Sequence, residues 1–352
     1  MGDYIHIMPN ICVDNLSKWR YYIKNFADQS VGRKGQKRID ISLEVNKMNI
    51  LDAIGNTPLV ELKGVVPPNS ARVMVKLEWA NPTGSMKDRM ARAAIESAEK
   101  DGRLQPGGTV VEYTGGTTGV SLAFVCAAKG YNLKIVFSDA FSPEKEQMMR
   151  AFGAEVTIVP SNNQGITEKL IKEMIEKTRI MSQKPNHWWS DQLNNHDAIT
   201  GYYPLGEEIW KQTGGEVNAF LHAVGTAHSN HGTTAALWNH KRNIHIVGVE
   251  PSESAVLSGK PSGSHNIEGI GIGFVPPLWE PKLVNEIMTV STDEAKSMAR
   301  RLAQEEGIFA GTSSGANVVA ALRLAQRLGP KATVATIIVD SGLRYLSTDI
   351  YR

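Results

Sequence analysis

Four short stretches of this 352-residue chain gather residue types that can do chemistry. In ANPTGSMKDRMA, residues 80–91, Lys87 follows the small residues Gly84 and Ser85 and opens an expected helix. A lysine becomes a nucleophile when burial or a nearby cation lowers its pKa. The positive end of a helix dipole pushes the same way. On these residues alone the signal is weak, since most lysines after a turn are solvated. In YTGGTTGVSLA, residues 113–123, Thr114, Gly115, Gly116, Thr117 and Thr118 lie between an expected strand and an expected helix. Backbone N–H groups at such a helix start bind anions. The three threonine hydroxyls suit a carboxylate, and a plain glycine turn would look the same.

Two further loops have a similar make-up. In AVGTAHSNHGTTAAL, residues 223–237, Gly225, Thr226, Ala227, His228 and Ser229 separate a strand from a helix. Small residues and hydroxyls there suit a phosphate dianion. His228 adds charge if protonated; otherwise it caps or packs. In AGTSSGANVVAAL, residues 310–322, Ser313 and Ser314 offer hydroxyls to a ring nitrogen, or equally to a helix N-terminus.

Alternating elements carry all four stretches. Strands are expected over 72–78, 108–114, 133–138, 155–159, 219–225, 245–250 and 333–340. Helices are expected over 88–102, 118–130, 142–153, 166–181, 232–241, 292–307 and 316–329, with Ser142 capping the third and Pro143 in its first turn. Such alternation predicts an α/β protein with parallel sheets flanked by helices. Apolar runs such as IVGV and TIIV fit strands buried on both sides. The expected organisation is an N-terminal extension over 1–45, a larger domain from 46–89 and 190–352, and a smaller one, 90–189, inserted between them. Ligands in such folds bind at the carboxyl ends of the strands.

Composition removes several function classes. A formal net charge of +2 gives no global field for nucleic acid or a membrane surface. No run approaches the ~18 apolar residues of a membrane span. The N-terminus lacks the basic and apolar regions of a secretory signal. Two distant cysteines, Cys12 and Cys126, supply no metal-binding spacing and fit a reducing cytoplasm. No P-loop occurs, and the glycine loops lack the spacing of a dinucleotide fold. The basic stretch VGRKGQKR, residues 31–38, reads as a solvated linker or as a contact with an acidic partner or another subunit.

The four loops together, with LDAIGNTPLVEL (51–62), AFGAEVTIV (151–159) and EGIGIGFVP (268–276), resemble the fold-type II pyridoxal-phosphate enzymes, in particular the cysteine synthase and cystathionine β-synthase family. The resemblance runs from there to SGLRYLST (341–348) and implies a tryptophan synthase β-like fold of two domains, each with a twisted, mostly parallel sheet. It implies that Lys87 forms a Schiff base with pyridoxal 5′-phosphate. It also implies that residues 225–229 cup the phosphate and that Ser313 bonds the pyridine nitrogen. Residues 114–118 would bind the substrate carboxylate with Gln192 of SDQLNN, Thr117 would also meet the cofactor, and Gly271 would lie at the active-site mouth. The implied reaction is β-replacement or β-elimination on a serine- or cysteine-like amino acid through an aminoacrylate, in a cytoplasmic homodimer without a metal. Dehydratase or racemase chemistry on the same fold, or a cofactor-bearing member that mainly docks a partner through 1–45, are the alternatives. The chain departs from the family where asparagine is usual and Thr117 stands, and where Ala227-His228-Ser229 replaces a Gly-Gly-Thr cup. Both departures leave the amino-acid donor open.

Overall fold

A computed structural model describes residues 49–163 and 167–352. The readings made for residues 1–45, including Cys12 and the basic stretch, lie outside them. The strands in chain order are β1 (Leu59–Glu61), β2 (Arg72–Leu77), β3 (Thr109–Tyr113), β4 (Asn132–Ser138), β5 (Glu155–Val159) and β6 (His187–Trp189). They continue with β7 (Ala219–Ala223), β8 (His245–Pro251), β9 (Glu286–Val290) and β10 (Thr333–Ile338). The helices are α1 (Lys87–Lys100), α2 (Thr117–Lys129), α3 (Pro143–Ala151), α4 (Glu168–Ser182) and α5 (Asp197–Thr200). The last four are α6 (Tyr203–Gln212), α7 (His228–His240), α8 (Thr292–Glu306) and α9 (Thr312–Leu328).

Two sheets result, and their pairing is parallel except between β1 and β2. One has six strands in the order β1-β2-β10-β7-β8-β9, the other four in the order β5-β4-β3-β6. The central strands β3, β7 and β10 are buried at every residue, as strands covered by helices on both faces must be. One apolar cluster joins α1 and α2 to residues of both sheets, among them Val110, Ile135, Phe220 and Ile337. A second fills the other face of the six-stranded sheet beneath α8 and α9.

Each sheet has a point where successive strands turn to the opposite side. In the six-stranded sheet, β8 and β9 extend to one side of β7 and β10 lies on the other. In the four-stranded sheet, β4 and β5 lie to one side of β3 and β6 to the other. A crevice opens at the carboxyl ends of the strands at such a point. The loop after β7 is the 225–229 stretch, and the loop after β3 is the 114–118 stretch.

Two helices begin one turn earlier than the sequence suggests. α7 starts at His228 rather than 232, and α9 at Thr312 rather than 316. Their first turns are poor in good helix formers, and tertiary packing overrides that preference. At Gly315 the backbone of α9 comes so close to α8 that a Cβ would overlap the Ala295 carbonyl. His228, Ser229, Ser313 and Ser314 therefore lie in first helical turns, not in the loops before them. Ser142 stands at the N-cap position of α3 but makes no capping bond; its hydroxyl donates to Glu268 Oε1 at 3.0 Å.

Candidate active site

Lys87 is the first residue of α1 and is partly buried. Burial pulls its amine down to about 8, with the carboxylate of Asp340 opposing. The amine makes no hydrogen bond or ion pair among the described residues. Its loop is fixed from behind. Thr83 donates through its N–H and hydroxyl to Asp88, at 2.8 and 2.6 Å, and Arg344 donates to the Thr83 hydroxyl at 3.0 Å. In the same first turn, the buried Arg89 donates to Glu78 at 2.7 and 2.8 Å and to Glu208 at 2.8 Å through two nitrogens. Asn81 donates to Glu78 Oε2 and accepts from the Gly55 N–H, both at 2.9 Å. The loop can place an amine because none of these partners is Lys87 itself.

The segment after β7 forms a cup. The N–H groups of Gly225, Thr226 and Ala227 donate to no group among the described residues. The first amides of α7 are free of intrahelical partners as well. Ala227 holds φ +71°, in the left-handed region, which turns the chain sharply into the helix. His228 is buried, bonded to Thr226 Oγ1 at 2.7 Å through Nδ1 and to the Asn195 carbonyl at 3.0 Å through Nε2. Ser229 is buried beside it. Free amides at a helix start are the donor set a phosphate needs.

Ser313 is buried in the first turn of α9, its hydroxyl bonded to no group among the described residues. Ser314 is committed: its Oγ accepts from the Val339 N–H at 2.9 Å, so of the two serines only Ser313 has a free hydroxyl among the described residues. One turn along from Ser313, Asn317 donates to the Ile337 carbonyl at 2.8 Å and to His222 Nδ1 at 3.2 Å. An amide nitrogen only donates, so His222 carries its proton on Nε2. That Nε2 is buried and has no partner among the described residues. Burial first, then the charge of Lys87, lowers the ring to about 3. His222 is a polar group of this site that the sequence reading did not find.

The second loop and Gln192 come together at the end of β3. Thr114 Oγ1 accepts from the N–H groups of Gly116 and Gly119 at 2.9 and 3.3 Å, which shapes the turn. Gly116 has φ +123°, and a Cβ there would overlap the side chain of Lys145. Gly115 is exposed, Thr117 is partly buried and Thr118 is buried. Gln192 follows β6, the strand beside β3, and its Nε2 donates to the Tyr113 carbonyl at 2.8 Å. Beneath both lies the buried Glu112. It accepts from Ser190 Oγ at 2.6 Å, the Gln192 N–H at 2.9 Å and Trp189 Nε1 at 3.2 Å. Burial raises this carboxyl to about 7 against the pull of those donors.

The glycine-rich segment closes the arrangement. The Gly271 N–H donates to the Val224 carbonyl at 3.1 Å, which ties this stretch to the start of the cup. Glu268 pairs with the buried Lys145 of α3, whose amine also lies 4.4 Å over the ring of Tyr345. Among the described residues, no group of His, Cys, Asp and Glu is arranged to hold a metal, and no helix is long and apolar enough to cross a membrane. Cys126 is buried, and its thiol is pushed up to about 12.

A desolvated amine calls for a carbonyl, and a cup of free amides calls for a phosphate. One small molecule offering both is a phosphorylated aldehyde, and the class that uses it on paired parallel sheets is the fold-type II pyridoxal-phosphate enzymes. The family model described as "pyridoxal-phosphate dependent enzyme" matches residues 50–340, and the chain belongs to that family. It is 41% identical over 310 residues to the cysteine synthase of Staphylococcus aureus strain Mu50, covering 86% of this chain and 96% of that one. The crystal structure of cysteine synthase from Entamoeba histolytica superimposes with a TM-score of 0.82 at 38% identity, covering 90% of this chain and 94% of that chain. The O-acetylserine dependent cystathionine β-synthase of Helicobacter pylori does so with a TM-score of 0.80 at 36% identity, covering 86% and 98%.

Proposed function

We propose that this enzyme replaces the substituent on the β-carbon of a serine- or cysteine-like amino acid, with Lys87 as the cofactor-bearing amine and the base for the α-proton. Bound pyridoxal phosphate supplies the aldehyde and a ring that draws electrons from the α-carbon. An amine brought to about 8 is a competent base near neutral pH, where an exposed lysine is fully protonated. Gly225, Thr226, Ala227, His228 and Ser229 would hold the phosphate without an arginine. Ser313 would meet the ring nitrogen, and a hydroxyl there does not deliver a full proton as a carboxylic acid does. That restrains the ring as an electron sink and favours loss of a β-substituent over transamination. Thr114, Gly115, Gly116, Thr117 and Thr118 would hold the substrate carboxylate with Gln192, and Gly271 would line the mouth.

The desolvated, unbonded amine of Lys87 carries this reading. The names of the cysteine synthase relatives support replacement. A smaller mobile domain over 90–189, a homodimer and a cytoplasmic site belong to the same proposal. Purified protein should be yellow, and borohydride should lock the cofactor onto Lys87. Lys87→Ala should lose that label and all turnover; a label on another lysine would reject the assignment. O-acetylserine, O-phosphoserine, serine, cysteine and threonine, each titrated spectrally, would identify the donor. Thr117→Asn should raise the preference for O-acetylserine over the native donor, and an unchanged ratio would separate Thr117 from donor choice.

A further inference from the structure

One of the cup's two hydroxyls, that of Thr226, is turned away from any phosphate it would receive. His228 Nε2 lies 3.0 Å from the Asn195 carbonyl oxygen. A carbonyl only accepts, so Nε2 carries the ring proton and Nδ1 of the neutral ring is a lone pair. Thr226 Oγ1, 2.7 Å from Nδ1, must therefore donate to it. The Asn195 carbonyl is held in place, because that residue's side chain donates to the Ser190 carbonyl at 2.9 Å and accepts from the Asp197 N–H at 3.0 Å. The neutral state of the ring has a clear origin. Burial is the first cause, then Lys87 of α1, with His196 before α5 and His231 of α7 adding to it; only the bond to Asn195 opposes.

Thr226 has one proton, and the histidine holds it. A phosphate dianion entering the cup would meet the lone pairs of Thr226 Oγ1. If the hydroxyl swung over to the dianion, Nδ1 would be left as a buried acceptor without a donor. One added proton removes both conflicts. It can sit on the phosphate, which then donates to Thr226 while Thr226 keeps donating to Nδ1. It can instead sit on Nδ1, which then donates to Thr226 while Thr226 donates to the dianion. Both arrangements contain the same protons and the same two hydrogen bonds.

We propose that this cup takes up its phosphate together with one proton, shared along the chain phosphate–Thr226–His228. The proton comes from solvent, no heavy-atom bond forms or breaks, and nothing else is released. The proposal rests on the reading of residues 225–229 as the cofactor's phosphate site.

The test uses the full chain and two aldehydes that attach to the same amine, pyridoxal phosphate and pyridoxal. The ratio of their dissociation constants isolates the phosphate. Its second pKa is near 6, so above pH 7 the free group is a dianion. Uptake of one proton then makes the ratio Kd(pyridoxal phosphate)/Kd(pyridoxal) rise about tenfold per pH unit between 7 and 9. In His228→Asn an amide can donate to Thr226 without titrating, and the ratio should become flat. Thr226→Val breaks the chain at its middle and should flatten it too, which keeps the test decisive if the first variant does not fold. A flat ratio in the wild-type chain, or an unchanged slope in the variants, overturns the proposal. So does a uniform loss of affinity at every pH in His228→Asn, the mark of a purely structural role. A wild-type chain that binds both aldehydes with a flat ratio sinks this inference alone. One that binds neither sinks the reading of Lys87 with it.

Discussion

At the six-stranded sheet, the loop carrying Lys87 is braced by Arg89, Glu78, Glu208, Asp88 and Arg344, all charged and mostly buried. At the four-stranded sheet, the loops carrying Thr117 and Gln192 are joined through Glu112, with neutral donors around it. The reversals of strand order fall at the 225–229 cup after β7 and the 114–118 loop after β3, whereas Lys87 follows β2, on the other side of β10 from β7. Under the proposed function, the bracing differs because the tasks differ. An amine that must stay desolvated needs a surround that cannot relax toward it, and ion pairs pointing elsewhere provide one. The site proposed to admit and release a substrate carboxylate works with neutral hydrogen bonds.

The largest effect should come from breaking the charged brace. Arg89→Met leaves Glu78 buried without its cation, and removing one partner of a buried pair costs about 3–5 kcal/mol. Urea denaturation of wild type and variant would measure it. A loss under about 1 kcal/mol would mean that the brace is not what stiffens this loop.

Glu112→Gln tests the other side. One carboxylate oxygen becomes an NH2 facing donors, at a cost of about 1–3 kcal/mol. The KM for the amino acid should rise more than kcat falls, because Gln192 loses its anchor. The pH dependence has a definite sign. The folded carboxyl titrates at about 7, above its unfolded value, so the native state holds the extra proton between the two. Its contribution to stability is full at low pH and is lost as pH rises through about 7. The stability gap between wild type and Glu112→Gln should therefore narrow from pH 5 to pH 8. A gap that widens would contradict the raised pKa.

Much of the fold was legible because its strands are short apolar runs separated by helices of ordinary period. The mostly parallel α/β architecture follows from that alternation, and β5 falls on the expected residues. β6 was not legible, since three residues, HWW, carry no period. β9 was missed as well; its residues are mostly half-buried, so EIMTV shows neither alternation nor a long apolar run. Lys87 and the cup stood out because a reactive group next to small residues is a local pattern. Glu112 and His222 did not stand out. Each is an acidic or imidazole side chain inside a fully buried strand, and only the partners brought by β6 and α9 give it a role. The pairing of Lys145 with Glu268 is likewise invisible in sequence, as the two lie 123 residues apart.

That pair connects the two halves of the comparison. Lys145 lies under Gly116 in the 114–118 loop, and Glu268 lies in the glycine-rich segment tied to the cup. Lys145→Met keeps the stem that packs beneath Gly116 and removes the charge. Stability should change by about 1 kcal/mol or less, since Glu268 is partly exposed and can be hydrated. The KM should rise severalfold as the mouth loosens. An unchanged KM would show that the two halves hold together without this contact.

The smallest effect on stability should come from the most strained residue. Ala227 has φ +71° and ψ −7°, and a Cβ in the left-handed region costs about 1–2 kcal/mol. Glycine would relieve that strain, but it frees the unfolded chain by about 0.4–1 kcal/mol. It would also remove a methyl that packs with Val224 and Leu278, worth about 0.8 kcal/mol. These terms nearly cancel, so Ala227→Gly should shift stability by less than about 1 kcal/mol in either direction. The informative readout is therefore the cofactor. If the strained alanine holds the free amides of residues 225–227 in place, glycine will weaken pyridoxal phosphate severalfold and leave pyridoxal unchanged. Equal losses for both would instead place the effect at Lys87, and the stiffness of the cup would then be owed to its hydrogen bonds and not to its backbone.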